Sequence, residues 1–261
     1  MAPSLRTPAT RVLLTLVVIG QVACQGSTSR PSEVGPTGPP DVRTEVIADH
    51  AQQLDEELAD RPAGSQLEQA ASQYVLGHLQ LAGYFVQLDA VPVANLVEST
   101  NLVALPPSGE EPETVVAVAY DAQETDEGGE AVGVFLELAR ALYAAHPDHR
   151  VEFVALGAEN TAEHLGSRRL AQQLRDEERS PRVVTLVAVP SDEVGVSGQL
   201  ADEFETAAED AGVSLGEPPP SAAFGGVDVF ERAGFESAVV GGGTPADLGA
   251  LLVAFLAPDG K

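Results

Sequence analysis

Six polar residues stand directly after three apolar runs. Asp121, Asp126 and Glu127 follow Val115 to Ala119, Glu159 and Asn160 follow Val151 to Leu156, and Asp192 follows Val183 to Val189. Carboxylates carried to one edge of a sheet by such loops could hold a hard cation or zinc, or they could form a solvated acidic rim. Acids abound throughout the chain, so spacing alone favours the rim. Other chemistries find less support. Gly195-Val196-Ser197-Gly198 lacks the spacing of a serine nucleophile elbow. Gly241-Gly242-Gly243 opens no dinucleotide-binding pattern and reads as a glycine-rich turn. Asp121 to Glu130 is acidic but lacks the regular ligand alternation of a calcium loop.

The elements that must position these residues alternate in type. The apolar run Val115–Ala119 has the composition of a central strand covered on both faces, and Val151–Leu156 and Val183–Val189 read the same way. Apolar residues at helical spacing mark Val46–Leu58. Arg61 to Ser65 is a break, after which Ser65-Gln66-Leu67-Glu68 is a capping box opening a helix that Gly83 ends. Tyr84–Val91 and Asn101–Leu105 read as strands, and Ala131–Ala145, Thr161–Glu177 and Gln199–Ala211 as helices. Val229–Ala233, Ser237–Val240 and Pro245–Ala257 follow as a short helix, a last strand and a closing helix. The expected fold class is α/β, with a twisted, mostly parallel mixed sheet flanked by helices on both faces.

Composition excludes some partners. Against 40 acids stand 14 bases, a formal charge of −26, so nucleic acid is not a partner. Aromatics make up 5% with no Trp, which argues against aromatic cages and base stacking. The single cysteine, Cys24, allows no internal disulfide and no cysteine-rich zinc site. It follows a basic start at Arg6 and Arg11 and an apolar stretch, Val12–Gly20, too short to span a bilayer. Gln21-Val22-Ala23-Cys24 resembles a bacterial lipobox, although Gln21 stands where Leu or Val is usual. Residues 1–24 are therefore expected to be a lipoprotein signal, with Cys24 lipidated on the outer side of a bacterial membrane. Export as an ordinary secreted protein is the alternative. Residues 25–42, rich in Ser, Pro and Gly, would form a disordered tether to a folded domain over 43–258.

Over residues 44 to 258 the chain resembles metallopeptidase family 28, the zinc aminopeptidases and their carboxypeptidase and glutaminyl-cyclase relatives. The resemblance rests on Arg61-Pro62-Ala63-Gly64-Ser65, Asn101-Leu102-Val103-Ala104, Tyr120-Asp121 and Phe135 to Arg140. It continues through Phe153 to Glu159, Leu165-Gly166-Ser167, Phe230 to Gly234 and Thr244-Pro245-Ala246-Asp247. It implies a site of two zinc ions at the strand ends, held by two imidazoles and three carboxylates. Carried over, that site is damaged. Asp121 keeps the position that orients a zinc-binding histidine, but the histidine itself is replaced by Ala119. The bridging carboxylate falls on Glu127, beside Asp126. Glu159 stands at the general-base position, while the ligand after it is Asn160. Asp192 matches the next ligand if two extra residues are allowed, and an ungapped match puts Pro190 there. The last histidine is replaced by Gly243, and the family's Ser-Asp-His segment by Gly225-Gly226-Val227. His50, His78, His146 and His149 fall in helices or a turn away from these loops, and His164 reads as a surface histidine.

Ala and Gly have no donor atom, and a neutral amide is a poor substitute for a carboxylate on zinc. Without metal, Glu159 has no activated water to deprotonate. The resemblance then implies a catalytically inactive relative with no cofactor, binding a peptide or protein, as some of the family's relatives do. A weakly active metal-dependent aminopeptidase using Asp126 or Glu127, Glu159 and Asp192 is the alternative, and a purely structural envelope lipoprotein is a third reading.

Overall fold

The computed structural model describes residues 41–94, 96–123, 128–219 and 227–257, all within the unit Gly35–Lys261. The expected signal segment, Cys24, and most of the tether lie outside the described residues, as do Asp126 and Glu127. Among the described residues no helix is long and apolar enough to cross a membrane.

Two strands made almost wholly of Val, Ala, Phe and Leu form the centre. They are β3 (Thr114–Ala119) and β4 (Val151–Leu156), parallel and in register from Thr114 opposite Val151 to Ala119 opposite Leu156. Around them lie β1 (Val86–Ala94), β2 (Val97–Ala104), β5 (Arg182–Val187), β6 (Val194–Gly198) and β7 (Ser237–Gly242). The sheet order is β1-β2-β4-β3-β5-β7-β6. The inner strands β4, β3, β5 and β7 run parallel, while β1, β2 and β6 are antiparallel to their neighbours. The carboxyl ends of all four parallel strands therefore meet at one edge, where sites form in sheets of this kind.

Among the described residues, seven helices cover the sheet: α1 (Thr44–Gln52), α2 (Gln66–Ala82), α3 (Gly129–Ala145), α4 (Leu165–Asp176), α5 (Ala201–Ala211), α6 (Val227–Ala233) and α7 (Pro245–Leu256). Period-two alternation sends successive strand residues to opposite faces. On one face Val116, Phe153 and Val240 pack with Ile47 of α1, Val75 of α2, Phe135 of α3, Phe204 of α5 and Leu251 of α7. On the other, Val115, Ala117 and Val154 pack with Leu170 and Leu174 of α4 and Phe230 of α6. The expected α/β architecture is present in full.

Local chemistry sets the helix ends. Ser65 Oγ accepts the Glu68 amide at 3.0 Å, and Gly83 closes α2 at φ 109°, a conformation open to glycine. The capping box is only half made. Glu68 does not return to Ser65; it is buried and accepts from the Gly64 amide, Ser99 Oγ and the Ala158 amide. Arg61, read as part of a break, is 1% exposed. Its guanidinium donates to the carbonyls of Tyr120 at 2.6 Å and Leu54 at 2.6 Å, tying the α1–α2 connection to the end of β3. Glu137 of α3 accepts from Arg43 and Arg140; burial raises its pKa, but these two cations hold it down at about 2.

Several element boundaries differ from expectation: β1 runs to Ala94 rather than Val91, and β2 starts at Val97 rather than Asn101, the two pairing antiparallel over their length. Helix α1 ends at Gln52 and the chain widens into a π-helical turn over Gln53–Glu57. The helix expected from Thr161 starts at Leu165, because the preceding segment is held by side chains of other elements. Residues Val194–Gly198, given no element from the sequence, are the edge strand β6 paired antiparallel to β7.

Candidate functional site

Tyr120 anchors the end of β3 by donating its hydroxyl to the Thr100 carbonyl at 2.7 Å. The next residue, Asp121, is 2% exposed and receives two amides of the neighbouring loop, Glu159 N on Oδ1 and Asn160 N on Oδ2, both at 2.9 Å. Burial pushes its pKa up to about 7, although both amide bonds pull the other way. The Asn160 side chain turns back on the same residue, its Nδ2 donating to the Asp121 carbonyl at 2.5 Å.

Beyond β4 the chain turns at Ala158, where φ is 54°. Glu159 then points into the fold. Its Oε2 accepts the Ser167 amide and its Oε1 accepts Ser167 Oγ, each at 2.8 Å. Ser167 is the third residue of α4, so Glu159 satisfies an amide that the first turn of the helix cannot satisfy itself. No side chain at the N-cap position, His164, does this work. Burial raises the Glu159 pKa, with the Ser167 bonds and His164 opposing. Asn101 braces the same turn from β2, accepting from Gly157 N at 3.1 Å and donating to the Gly166 carbonyl at 3.0 Å. Three buried carboxylates, Glu68, Asp121 and Glu159, thus grip one loop mainly through main-chain amides.

His164 stands in the loop before α4, partly exposed, and its Nδ1 lies 2.9 Å from the Glu159 carbonyl and 3.6 Å from Glu159 Oε1, contacts the sequence alone did not indicate. The remaining histidines stand elsewhere. His50 is buried against Tyr74 and His78, and burial lowers its pKa to about 4. His149 bonds Tyr84 at 2.9 Å and its pKa is likewise lowered to about 4 by burial.

The structure brings Ala119, Asp121, Glu159 and Asn160 together where β3 and β4 end. Gly243 follows β7 on the same edge, two strands from β3, or roughly 10 Å at the usual strand spacing. Its φ of 72° lies in the left-handed region; a Cβ there would overlap Val194 Cγ2 and stand 3.0 Å from the Val194 amide nitrogen. Asp192 is exposed on the loop between β5 and β6, whose Ser191 carbonyl accepts the Gly243 amide at 2.9 Å. The segment Asp192-Glu193-Val194-Gly195, on which the match of Asp192 to a ligand depends, ends inside β6, since Val194 and Gly195 pair with Gly242 and Gly241. Gly225 and Gly226 lie outside the described residues.

Zinc takes nitrogen, oxygen or sulfur donors at about 2.0–2.3 Å. Among the described residues the donors do not fit it: Ala119 and Gly243 offer none, Asn160 offers only a neutral amide oxygen while its nitrogen bonds Asp121, and both Glu159 oxygens are turned inward onto Ser167. Among the described residues no group of three or more His, Cys, Asp or Glu side chains is placed to hold a metal ion.

Comparison with solved structures places this geometry in a known frame. A zinc aminopeptidase from Bacillus subtilis superposes with a TM-score of 0.70 over 84% of this chain and 96% of that one, at 14% identity. The fold is that of the zinc aminopeptidases. LapB from Legionella pneumophila shares this fold at a TM-score of 0.71 and 16% identity, covering 84% of this chain and 73% of that one. A glutaminyl cyclase from Bacteroides thetaiotaomicron shares it at 0.67 and 15%, covering 84% and 99%. No protein-family model matches the chain, and no curated protein matches it by sequence. The aminopeptidase fold is shared without close sequence kinship.

Proposed function

We propose that this chain is a degenerate, non-catalytic relative of metallopeptidase family 28 that serves peptide or protein recognition. One observation carries the reading: the carboxylate at the general-base position is buried, and both of its oxygens accept from Ser167 at 2.8 Å, as a cap for α4. A general base must reach the water it deprotonates at hydrogen-bond distance, and a carboxylate buried against the first turn of a helix is turned away from the solvent-facing edge. The replaced donors at Ala119, Asn160 and Gly243 point the same way. Mass spectrometry of the zinc-loaded chain, paired with hydrolysis of aminoacyl anilides, tests the proposal. Zinc well below one equivalent and no turnover are expected. Stoichiometric zinc, with turnover abolished by Glu159→Gln, would overturn it and favour the weakly active peptidase.

Export and anchoring belong to the same proposal. Cys24 follows an apolar stretch of secretory length and precedes a Ser-, Pro- and Gly-rich segment. In a bacterial host the chain is expected in the detergent phase of a membrane extraction, and Cys24→Ser should move it to the aqueous phase. Equal partitioning of both forms would refute lipid attachment.

A further inference from the structure

The edge of the sheet opposite Asp121 and Glu159 holds a cleft of about 800 Å³. Three helices end there: Gly83 follows α2, Tyr143 sits in the last turn of α3, and Glu177 and Glu178 follow α4. Each C-terminus presents the negative end of its helix dipole. Five glutamates line the cleft, Glu110, Glu111, Glu152, Glu177 and Glu178, together with Arg179, while Arg150 beside it pairs with Glu110 at 3.4 Å. Phe85, 70% exposed, adds an aromatic face at its rim.

Glu152 marks this as more than a collection of acids. It is 1% exposed, and only its Oε2 is engaged, by Arg179 at 2.9 Å. Its Oε1 is buried with no hydrogen-bond partner, and so is Nε of Arg179, whose other donor goes to Glu177 at 2.9 Å. Leaving a buried acceptor and a buried donor unmet costs free energy that an incoming group can restore. The acceptor is a carboxylate in a region of negative potential, so it calls for a cationic donor. The donor beside it calls for a carbonyl. An arginine or lysine residue within a peptide supplies both; a free polyamine supplies only the first.

We propose that this cleft binds a cationic peptide segment, with an arginine or lysine side chain directed at Glu152 and a main-chain carbonyl at Arg179. The choice of a peptide as ligand rests on the recognition reading above; the site itself does not depend on the strand-end carboxylates. Calorimetric titration of the full chain with the capped dipeptide acetyl-Arg-Arg-amide tests it. Saturable binding is expected, at least tenfold tighter than for the neutral isostere acetyl-citrulline-citrulline-amide and tighter than for spermidine. Glu152→Gln and Phe85→Ala should each weaken it about tenfold, while Glu56→Gln, an exposed acid outside the cleft, should leave it unchanged. Phe85 is exposed, so its replacement keeps the test sound should Glu152→Gln disturb folding. No binding, an equal loss in all three variants, or tighter binding of spermidine would overturn the proposal. Absent binding in a zinc-free, inactive protein would remove this site alone, whereas zinc loading with retained dipeptide binding would remove the recognition reading of the strand-end site alone.

Discussion

Replacing Glu159 with alanine is expected to destabilise the domain by roughly 3 kcal/mol, lowering its melting temperature by about 6–12 °C, and to change no hydrolytic activity. The loss has two parts. Helix α4 forfeits the acceptor for its third amide, and the Ser167 hydroxyl, on a residue 0% exposed, is left without its partner. A catalytic carboxylate behaves differently, since active-site groups are often held at a cost in stability and their removal is commonly neutral or stabilising. Calorimetric melting of Glu159→Ala, Ser167→Ala and the double variant separates the two roles. The double variant should lose less than the sum of the single losses, because both break one unit. An unchanged or raised melting temperature in Glu159→Ala would show that the carboxylate is not holding the helix.

Gly243→His should be the more damaging change, costing about 4 kcal/mol. The estimate combines the left-handed backbone penalty for a residue with a Cβ and overpacking against Val194. Rebuilding the donors with Ala119→His, Asn160→Glu and Gly243→His together should therefore fail to restore zinc binding. Denaturant midpoints for Gly243→Ala, Gly243→His and Ala119→His check the point. Ala119 ends β3 half-buried at the sheet edge, so its replacement should cost less than half as much as Gly243→His. A triple variant that folds as well as the parent and takes up zinc would mean that only the donors, not the backbone around them, separate this chain from a metal site.

Much of the fold is legible in the residue pattern. The runs of β3 and β4 could only be buried strands, and Ser65, Gly83 and Thr244-Pro245 mark helix ends through the hydrogen bonds and dihedral angles their side chains permit. What escaped reading depends on distant partners. Val194–Gly198 is short and contains two glycines, so nothing local distinguishes it from a loop; its identity comes from pairing with β7, some forty residues on. Thr161–His164 carries no helix breaker, yet it stays out of α4 because Asp121 and Asn101 hold the preceding turn in a non-helical path. Arg61 reads as a turn residue until the carbonyls of Leu54 and Tyr120 close around it.

The candidate site divides along the same line. The missing donors were visible in the residues alone, since Ala119 and Gly243 have no side-chain atom that could bind a metal, whatever surrounds them. The employment of the remaining groups was not visible. A carboxylate that caps a helix and one that activates water are the same residue type, and only the position of Ser167 eight residues later, folded back onto Glu159, distinguishes them. The left-handed turn at Gly243, pressed against Val194, is likewise a product of the β6–β7 pairing. Residue chemistry determined which donors are absent, while tertiary packing decided what the remaining groups hold, because a hydrogen bond is specified by where its two ends meet.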